Sequence, residues 1–149
     1  MKTTMGYSKT MLLTAASLVC FACNAQKQNI TLAQLPATAQ TFIKTNFPNQ
    51  ATSYIIEDKD LTESDYKVVF TGGVEVEFDG NGNWEEIGAK KSVLPASVYP
   101  KPVADYIAKN YKGLAVDKLE KKRWGYKLEF TNDVELEFDT NGKFLRIDD

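Results

Sequence analysis

Two pairs of carboxylates at alternate positions have a spacing that could support acid–base chemistry. Glu75 and Glu77 form one pair, and Glu135 and Glu137 form the other. Two carboxylates can divide the general acid and general base roles when their surroundings separate their pKa values. In a β-strand, however, a spacing of two places both side chains on one face of the sheet. We interpret each pair as part of a solvated, charged sheet face, and we assign no catalytic residue.

An oxygen-rich segment follows each carboxylate pair. Residues 79–83 read Asp-Gly-Asn-Gly-Asn, and residues 139–143 read Asp-Thr-Asn-Gly-Lys. Oxygen atoms at alternate positions suit a hard cation such as calcium, but the EF-hand spacing is not met and Lys143 occupies a position where a ligand would be needed. The other interpretation is an Asn-Gly hairpin whose aspartate accepts hydrogen bonds from the turn. We favour the hairpin and predict no metal ligands and no cofactor.

The composition narrows the range of functions. The 149 residues include no histidine, which excludes Ser-His-Asp and Cys-His mechanisms and histidine-ligated metals. Acidic residues (20) outnumber basic ones (18), and this balance argues against nucleic-acid binding. With 43% hydrophobic and 26% charged residues, the chain has the composition of a globular protein. We expect a folded protein that is not an enzyme.

The N-terminus has the pattern of an export signal. Basic residues precede an apolar run at 11–22, which is too short to cross a bilayer as a folded helix and is typical of a signal-peptide core. We predict a signal segment over residues 1–25 and a location in the periplasm or cell envelope. Cleavage after Ala25 would release a soluble protein, whereas lipidation of Cys23 would make a lipoprotein. Both routes remain open, and such a lipid would be the only membrane contact.

The rest of the chain contains an internal repeat. Residues 66–87 recur without a gap as residues 126–147, with more than half of the positions identical. A fixed-period repeat indicates duplication of a structural unit. We predict one repeat over residues 30–90 and a second over residues 91–149.

Each repeat has the pattern of one helix followed by four strands. Pro36 suits a first helical position, and Pro48 ends the first helix, while Pro100 and Pro102 delay the start of the second. The strands are predicted at 52–58, 64–71, 74–79 and 84–88, then at 114–121, 124–131, 134–139 and 143–148. The predicted fold class is α+β: two tandem repeats, each a helix plus a four-stranded antiparallel sheet, with the helices packed on one sheet face.

The turns predict the register of the strands. The Asn-Gly pairs at 81–82 and 141–142 are typical of two-residue type I′ turns, whereas residues 71–73 and 131–133 are predicted as three-residue connections. The predicted core pairs are Val68–Val76, Val76–Ile87, Phe138–Leu145 and Leu136–Ile147. The same register places Trp84 and Phe144 on the opposite, outer face.

The outer face is the candidate binding surface. Lys127, Glu137 and Arg146 are predicted to form a row of alternating charge across three strands. Aromatic residues are common in interfaces, so the candidate recognition anchors are Trp84, Trp124, Tyr54 and Tyr99. The other interpretation is that these rings pack peripherally. The full candidate set is Glu75, Glu77, Trp84, Lys127, Glu135, Glu137, Phe144 and Arg146.

The duplicated Phe-Asp-x-Asn-Gly hairpin and the Leu-Pro helix start, present at Leu35-Pro36 and Leu94-Pro95, resemble the PepSY-like, β-lactamase-inhibitor-like proteins over residues 35–149. The resemblance implies an exported bacterial protein, often of the Bacteroidetes, with no assigned enzymatic activity. Inhibitors of similar architecture hold an enzyme with a sheet face and loops, which implies a binding surface here. No inhibitory contact motif can be carried over.

We therefore expect an exported, non-catalytic binding module that binds or inhibits a protein or peptide of the cell envelope. It would use the outer sheet face and the hairpin loops. The alternative is a protein that binds or senses a small molecule or a divalent cation.

Overall fold

A computed structural model describes residues 26–60, 62–90 and 92–148. The predicted signal segment, with Cys23, lies outside the described residues. Within the described residues, two α-helices and nine strands follow one another. In order they are β1 (Gln26–Asn29), α1 (Ala37–Asn46), β2 (Thr52–Lys59), β3 (Ser64–Phe70), β4 (Val74–Phe78), β5 (Trp84–Ala89), α2 (Lys101–Asn110), β6 (Val116–Lys122), β7 (Gly125–Phe130), β8 (Glu135–Asp139) and β9 (Phe144–Asp148).

All nine strands form one antiparallel sheet in which each strand pairs with its neighbours in sequence. The eight predicted strands are confirmed to within two residues at each end, because their alternating apolar residues match the period of a half-buried strand. Strand β1 was not predicted. Its sequence, Gln-Lys-Gln-Asn, has no apolar alternation and is extended through pairing with β2, where Lys27 lies opposite Asp58.

The sheet is continuous across the boundary between the predicted repeats. Ile87 in β5 pairs with Leu119 in β6, and both side chains are fully buried. Side chains of both helices share one buried cluster with the inward-facing side chains of the sheet. Phe42 of α1 meets Phe78 edge-on at 5.8 Å, and Tyr106 of α2 meets Phe138 in the same way at 5.5 Å. The protein is thus a mixed α/β structure dominated by its sheet.

The Asn-Gly hairpins have three loop residues, so the predicted two-residue turns are wrong. The Asp79 amide donates to the Asn83 carbonyl at 2.9 Å, and the Gly82 amide donates to the Asp79 carbonyl at 2.9 Å. Gly82 has φ +82°, as in a type I turn followed by a glycine bulge. Its buried position has a tertiary cause, because a Cβ there would lie 2.7 Å from Pro36 Cβ. Gly142 packs against Pro102 in the same manner.

The longer loop shifts the register beside it. Val76–Ile87 and Leu136–Ile147 pair as predicted, but a bulge after each then sets Phe78 opposite Trp84 and Phe138 opposite Phe144. The predicted Phe138–Leu145 pair is therefore wrong. The predicted outward placement of Trp84 and Phe144 is also wrong. These rings lie on the helix side, 6.1 Å from Phe42 and 4.7 Å from Tyr106 respectively.

Neither helix in the described part of the chain has the length and apolarity needed to span a membrane.

Candidate partner-binding surface

The sheet face opposite the helices, here called the open face, carries two parallel rows of side chains. The strand pairings place each residue directly opposite the next. The central row is Ile56, Lys67, Glu77, Glu86, Glu120, Lys127, Glu137 and Arg146, and the second row is Tyr54, Val69, Glu75, Gly88, Lys118, Glu129, Glu135 and Asp148. Side chains on one face of neighbouring strands lie close enough to interact, so the rows form one connected charged surface.

Six of the eight candidate residues lie on this face. The predicted row of Lys127, Glu137 and Arg146 is confirmed by direct pairing across β7, β8 and β9. Both carboxylate pairs are also present, on β4 and β8. Trp84 and Phe144 are absent from it, because the bulges turn them toward the helices.

In the first half of the open face, lysines hold the carboxylates of β4. Lys67 Nζ lies 2.6 Å from Glu77 Oε1 and 3.6 Å from Glu75 Oε2, and Lys90 Nζ lies 3.0 Å from Glu75 Oε1. The hydrogen bond to Glu77 raises the pKa of Lys67. The carboxylates of both glutamates are therefore held by ion pairs with Lys67 and Lys90.

At the β5–β6 junction, three glutamates lie side by side: Glu77, Glu86 and Glu120. Lys118 relieves the repulsion by reaching Glu86 Oε2 at 3.2 Å and also contacting Glu120. Although partial burial would by itself raise the pKa of Glu120, hydrogen bonds from Lys118 and Lys122 lower it. Glu120 therefore stays ionised, and the junction is held together by cations on β6.

In the second half, the charges are more tightly fixed. Lys127 Nζ lies 2.6 Å from Glu135 Oε2 and 3.1 Å from Asp148 Oδ2. Its hydrogen bonds to Glu135 and then Asp148 raise the pKa of Lys127 far above its ordinary value. Arg146 contacts both oxygens of Glu137, at 2.8 and 3.1 Å. Glu137 is only 7% exposed. The predicted solvated position is therefore wrong for this side chain.

At the β2 end of the open face, both rows begin with an uncharged side chain. Tyr54, which is 45% exposed, lies opposite Val69, and Ile56 lies opposite Lys67. A cavity of about 450 Å³ opens here, lined by Tyr54, Ile56 and several charged side chains including Asp65 and Glu85. Sequence reasoning named Tyr54 only as one of several aromatic residues. Alternation along β2, with Ile55 buried and its neighbours outward, would have placed it.

Beside this cavity lies an acidic hollow, defined by Glu63, Asp65, Asp79 and Glu85. Burial, followed by repulsion from Asp58 and other carboxylates, raises the pKa of Asp65. Burial and the nearby Asp65 raise the pKa of Glu85 in the same way. Within residues 26–60, 62–90 and 92–148, however, no three acidic or cysteine side chains converge closely enough to hold a metal ion.

Two further aromatic residues named from the sequence lie elsewhere. Trp124 is exposed in the β6–β7 turn. Tyr99 is partly buried, and its hydroxyl donates to the Leu94 carbonyl at 3.2 Å. Burial strongly raises the pKa of Tyr99, so this side chain supports the core and is not an anchor on the surface.

Comparisons with known proteins agree with this architecture. The sequence matches the family described as "Putative beta-lactamase-inhibitor-like, PepSY-like" over residues 22–65 and 64–146. Because these segments cover most of the chain, the protein belongs to this PepSY-like family. No curated protein matches the sequence significantly.

Three solved structures from Bacteroides species are similar. A "putative calcium-regulated periplasmic protein" from Bacteroides thetaiotaomicron is 33% identical, with a TM-score of 0.75 over 83% of this chain and 97% of that one. A "putative periplasmic protein" from Bacteroides vulgatus is 36% identical, with a TM-score of 0.73 over 83% and 97% of the two chains. Another from Bacteroides vulgatus, of unknown function, is 32% identical, with a TM-score of 0.73 over 83% and 100%.

Proposed function

We propose that this protein is an exported, non-catalytic binding module that holds a protein or peptide of the cell envelope against the open face and its bordering hairpin loops. The observation that carries the proposal is the open face itself: two rows of ordered charges extend across β2 to β9 with neither helix packed over them. The description of the similar structures as periplasmic supports the location. The inhibitor-like description of the family supports the binding role.

The geometry favours a macromolecular partner over a small substrate. The ion pairs fix the positions of the charged side chains, and this arrangement provides electrostatic complementarity and specificity more than raw affinity. Tyr54 and Ile56 add an apolar end at which a partner can bury surface. Small-molecule sites are usually concave and enclose most of their ligand, whereas the open face is broad and its cavities open to solvent.

A crosslinking capture with matched charge reversals tests the proposal. The chain carrying Lys67→Glu and Lys127→Glu is compared with one carrying Lys44→Glu and Lys109→Glu, whose lysines lie exposed on α1 and α2. Both variants change the net charge equally. We expect the unmodified chain and the helix variant to capture the same envelope protein. The open-face variant should capture at least tenfold less of it.

Thermal unfolding of each variant provides the control for folding, since Lys67 and Lys127 have ion pairs and Lys44 and Lys109 lie on the helices. Equal capture by both variants, or equal loss from both, would contradict binding through the open face.

We also infer that the two predicted repeats, residues 30–90 and 91–149, are copies of one helix-plus-four-strand unit. The equivalent contacts Phe42–Phe78 and Tyr106–Phe138 support this. Their open faces have diverged, because Glu77 lies opposite Glu86 but Glu137 lies opposite Arg146. A function that needs two equivalent sites is therefore disfavoured.

A second candidate is a site for a divalent cation in the acidic hollow. Asp65 and Glu85 repel one another there, and the charge of a cation would relieve that repulsion. The description of the 33% identical relative as calcium-regulated favours this ion. The carboxylates of the acidic hollow would have to rotate toward one another to bind the ion, since calcium needs six to eight oxygen ligands.

Isothermal titration with calcium tests this candidate. The unmodified chain is compared with the Asp65→Asn/Glu85→Gln variant and with a Glu129→Gln control on the open face. We expect sub-millimolar binding that the double variant weakens more than tenfold and the control leaves unchanged. Binding that is equal in all three proteins, or absent from the unmodified chain, would rule out the hollow as the site.

A further inference from the structure

Among the residues that the structure describes, β1 and β9 are the two edge strands of the sheet, and they differ in chemistry. Strand β1 at one edge is polar throughout, and its Lys27 is of the kind that protects an edge from pairing with other chains. Strand β9 at the other edge carries Leu145 and Ile147, which are 49% and 50% exposed. An edge strand offers unpaired backbone groups for another strand, and here the exposed apolar side chains add surface that such a strand would bury.

Strand β5 occupies the position equivalent to β9 in the first repeat, and the two strands can be compared directly. By the repeat alignment, Ile147 occupies the position of Ile87, and Leu145 occupies the position of Glu85. Ile87 is fully buried because β6 pairs beyond it. Ile147 pairs with Leu136 on one side only, and it remains half exposed. One further antiparallel strand beside β9 would bury Ile147, as β6 buries Ile87.

We propose that β9 pairs antiparallel with β9 of a second copy of this chain, with Ile147 at the two-fold axis, which joins two nine-stranded sheets into one. A two-fold interface must be complementary to itself. In this register Ile147 faces Ile147 of the second copy. Arg146 of each copy faces Asp148 of the other, so this contact between opposite charges occurs twice. Centring the pairing on Arg146 would instead set two guanidinium groups opposite each other, which is unfavourable.

The local charges can accommodate this pairing. Arg146 contacts Glu137 through Nε and one terminal nitrogen, while a guanidinium has five N–H donors in all. Its side chain is mostly exposed, and Asp148 is partly exposed beside Lys127. Pairing would connect Glu137, Arg146, Asp148 of the second copy and its Lys127 in a chain of alternating charge that continues the central row across the interface.

Disulfide trapping tests the register. The chain from Gln26 onward contains every described residue and no cysteine, so Ile147→Cys introduces a single thiol. Opposite side chains in an antiparallel pair have Cβ atoms about 4.5–5.5 Å apart, which is close to disulfide geometry. We expect rapid oxidation to a covalent dimer, at least tenfold faster than for a Lys27→Cys control on the β1 edge. Equal rates for the two variants would overturn the proposal.

Sedimentation of charge-swapped variants provides a second test. Arg146→Asp and Asp148→Arg each place like charges opposite one another across the axis, and each is expected to weaken self-association at least tenfold. The double variant restores opposite charges only between copies, since Glu137 and Lys127 then face like charges within each chain. We expect the double variant to recover dimerisation. A folded double variant that stays monomeric, or an unmodified chain that is monomeric at every concentration, would refute the β9 pairing and would leave the capture experiment unaffected.

Discussion

At the scale of single residues, Asp79 shows how a motif that resembles a metal loop has a structural role. Its Oδ1 accepts hydrogen bonds from the Asn81 and Asn83 amides at 2.9 and 2.8 Å, and its Oδ2 accepts one from the Asn83 side chain at 3.0 Å. Asp139 accepts the equivalent backbone bonds. The aspartate oxygens are thereby committed to the turn.

Replacing Asp79 by alanine is expected to lower the free energy of unfolding by about 1 kcal/mol, the typical net value of a hydrogen bond. Although burial opposes it, the hydrogen bonds from Asn83 and Asn81 lower the pKa of Asp79. The stabilisation is therefore complete above the ordinary pKa of 3.8 and is lost as the pH falls through the lowered value. Denaturant titrations of both proteins at neutral pH and at about pH 2 measure this.

Asp79→Asn is the matched control, because it keeps an acceptor oxygen but removes the charge. If alanine destabilised the protein equally at both pH values, the charged carboxylate would not be the source of the stability.

At the scale of elements, the β4–β5 hairpin shows how one additional loop residue relocates an aromatic side chain. The three-residue loop and the bulge at Glu85 set Trp84 opposite Phe78. The indole then lies 6.1 Å from Phe42 and stacks on Tyr126 at 6.2 Å with an interplanar angle of 19°. Lys121 Nζ lies 5.7 Å from the ring centroid. Trp84 thus connects α1 and β5 to β7 and is not presented on the open face.

Fluorescence separates this packing role from the role of an exposed anchor. In the Trp124→Phe variant, the emission of Trp84 is expected to be blue-shifted and resistant to acrylamide, since three side chains surround the indole. In the Trp84→Phe variant, the exposed Trp124 should emit at longer wavelength and be quenched readily.

Truncation of the same side chain provides the energetic counterpart. Trp84→Ala is expected to lower the free energy of unfolding by about 3 kcal/mol, the lower end of the range for a large aromatic residue. If Trp84 were quenched as readily as Trp124, the ring would be available to a partner after all.

At the scale of the whole molecule, continuity of the sheet determines what a partner can meet. Pairing of β5 with β6 makes the open face a single surface and buries Ile87 against Leu119. The same pairing brings Glu86 opposite Glu120, and this repulsion is offset by Lys118. The charge pattern at the centre of the surface therefore exists only because the two halves are joined.

The sequence by itself determined the positions of eight strands and the presence of both helices, but not the helix starts. Pro36 precedes the first turn of α1, and Pro102 lies within the first turn of α2 and does not delay its start. The sequence also determined the register away from the loops and the face on which Glu75, Glu77, Glu135 and Lys127 lie. The physical reason is local: side chains alternate along a strand, and only one phase of that alternation buries the apolar residues. The duplicated hairpin and helix start were sufficient to indicate the family.

Only the tertiary structure decided the length of the Asn-Gly loops, the inward position of Trp84 and Phe144, and the joining of β5 to β6. In the three-residue loop Gly82 lies so close to Pro36 that a Cβ would be 2.7 Å from the proline Cβ, and the turn sequence does not encode this contact. Likewise, the partner of β5 lies beyond α2 in the chain, so its pairing depends on how both helices pack in the shared core. The edge left exposed at β9 is the other consequence of that assembly.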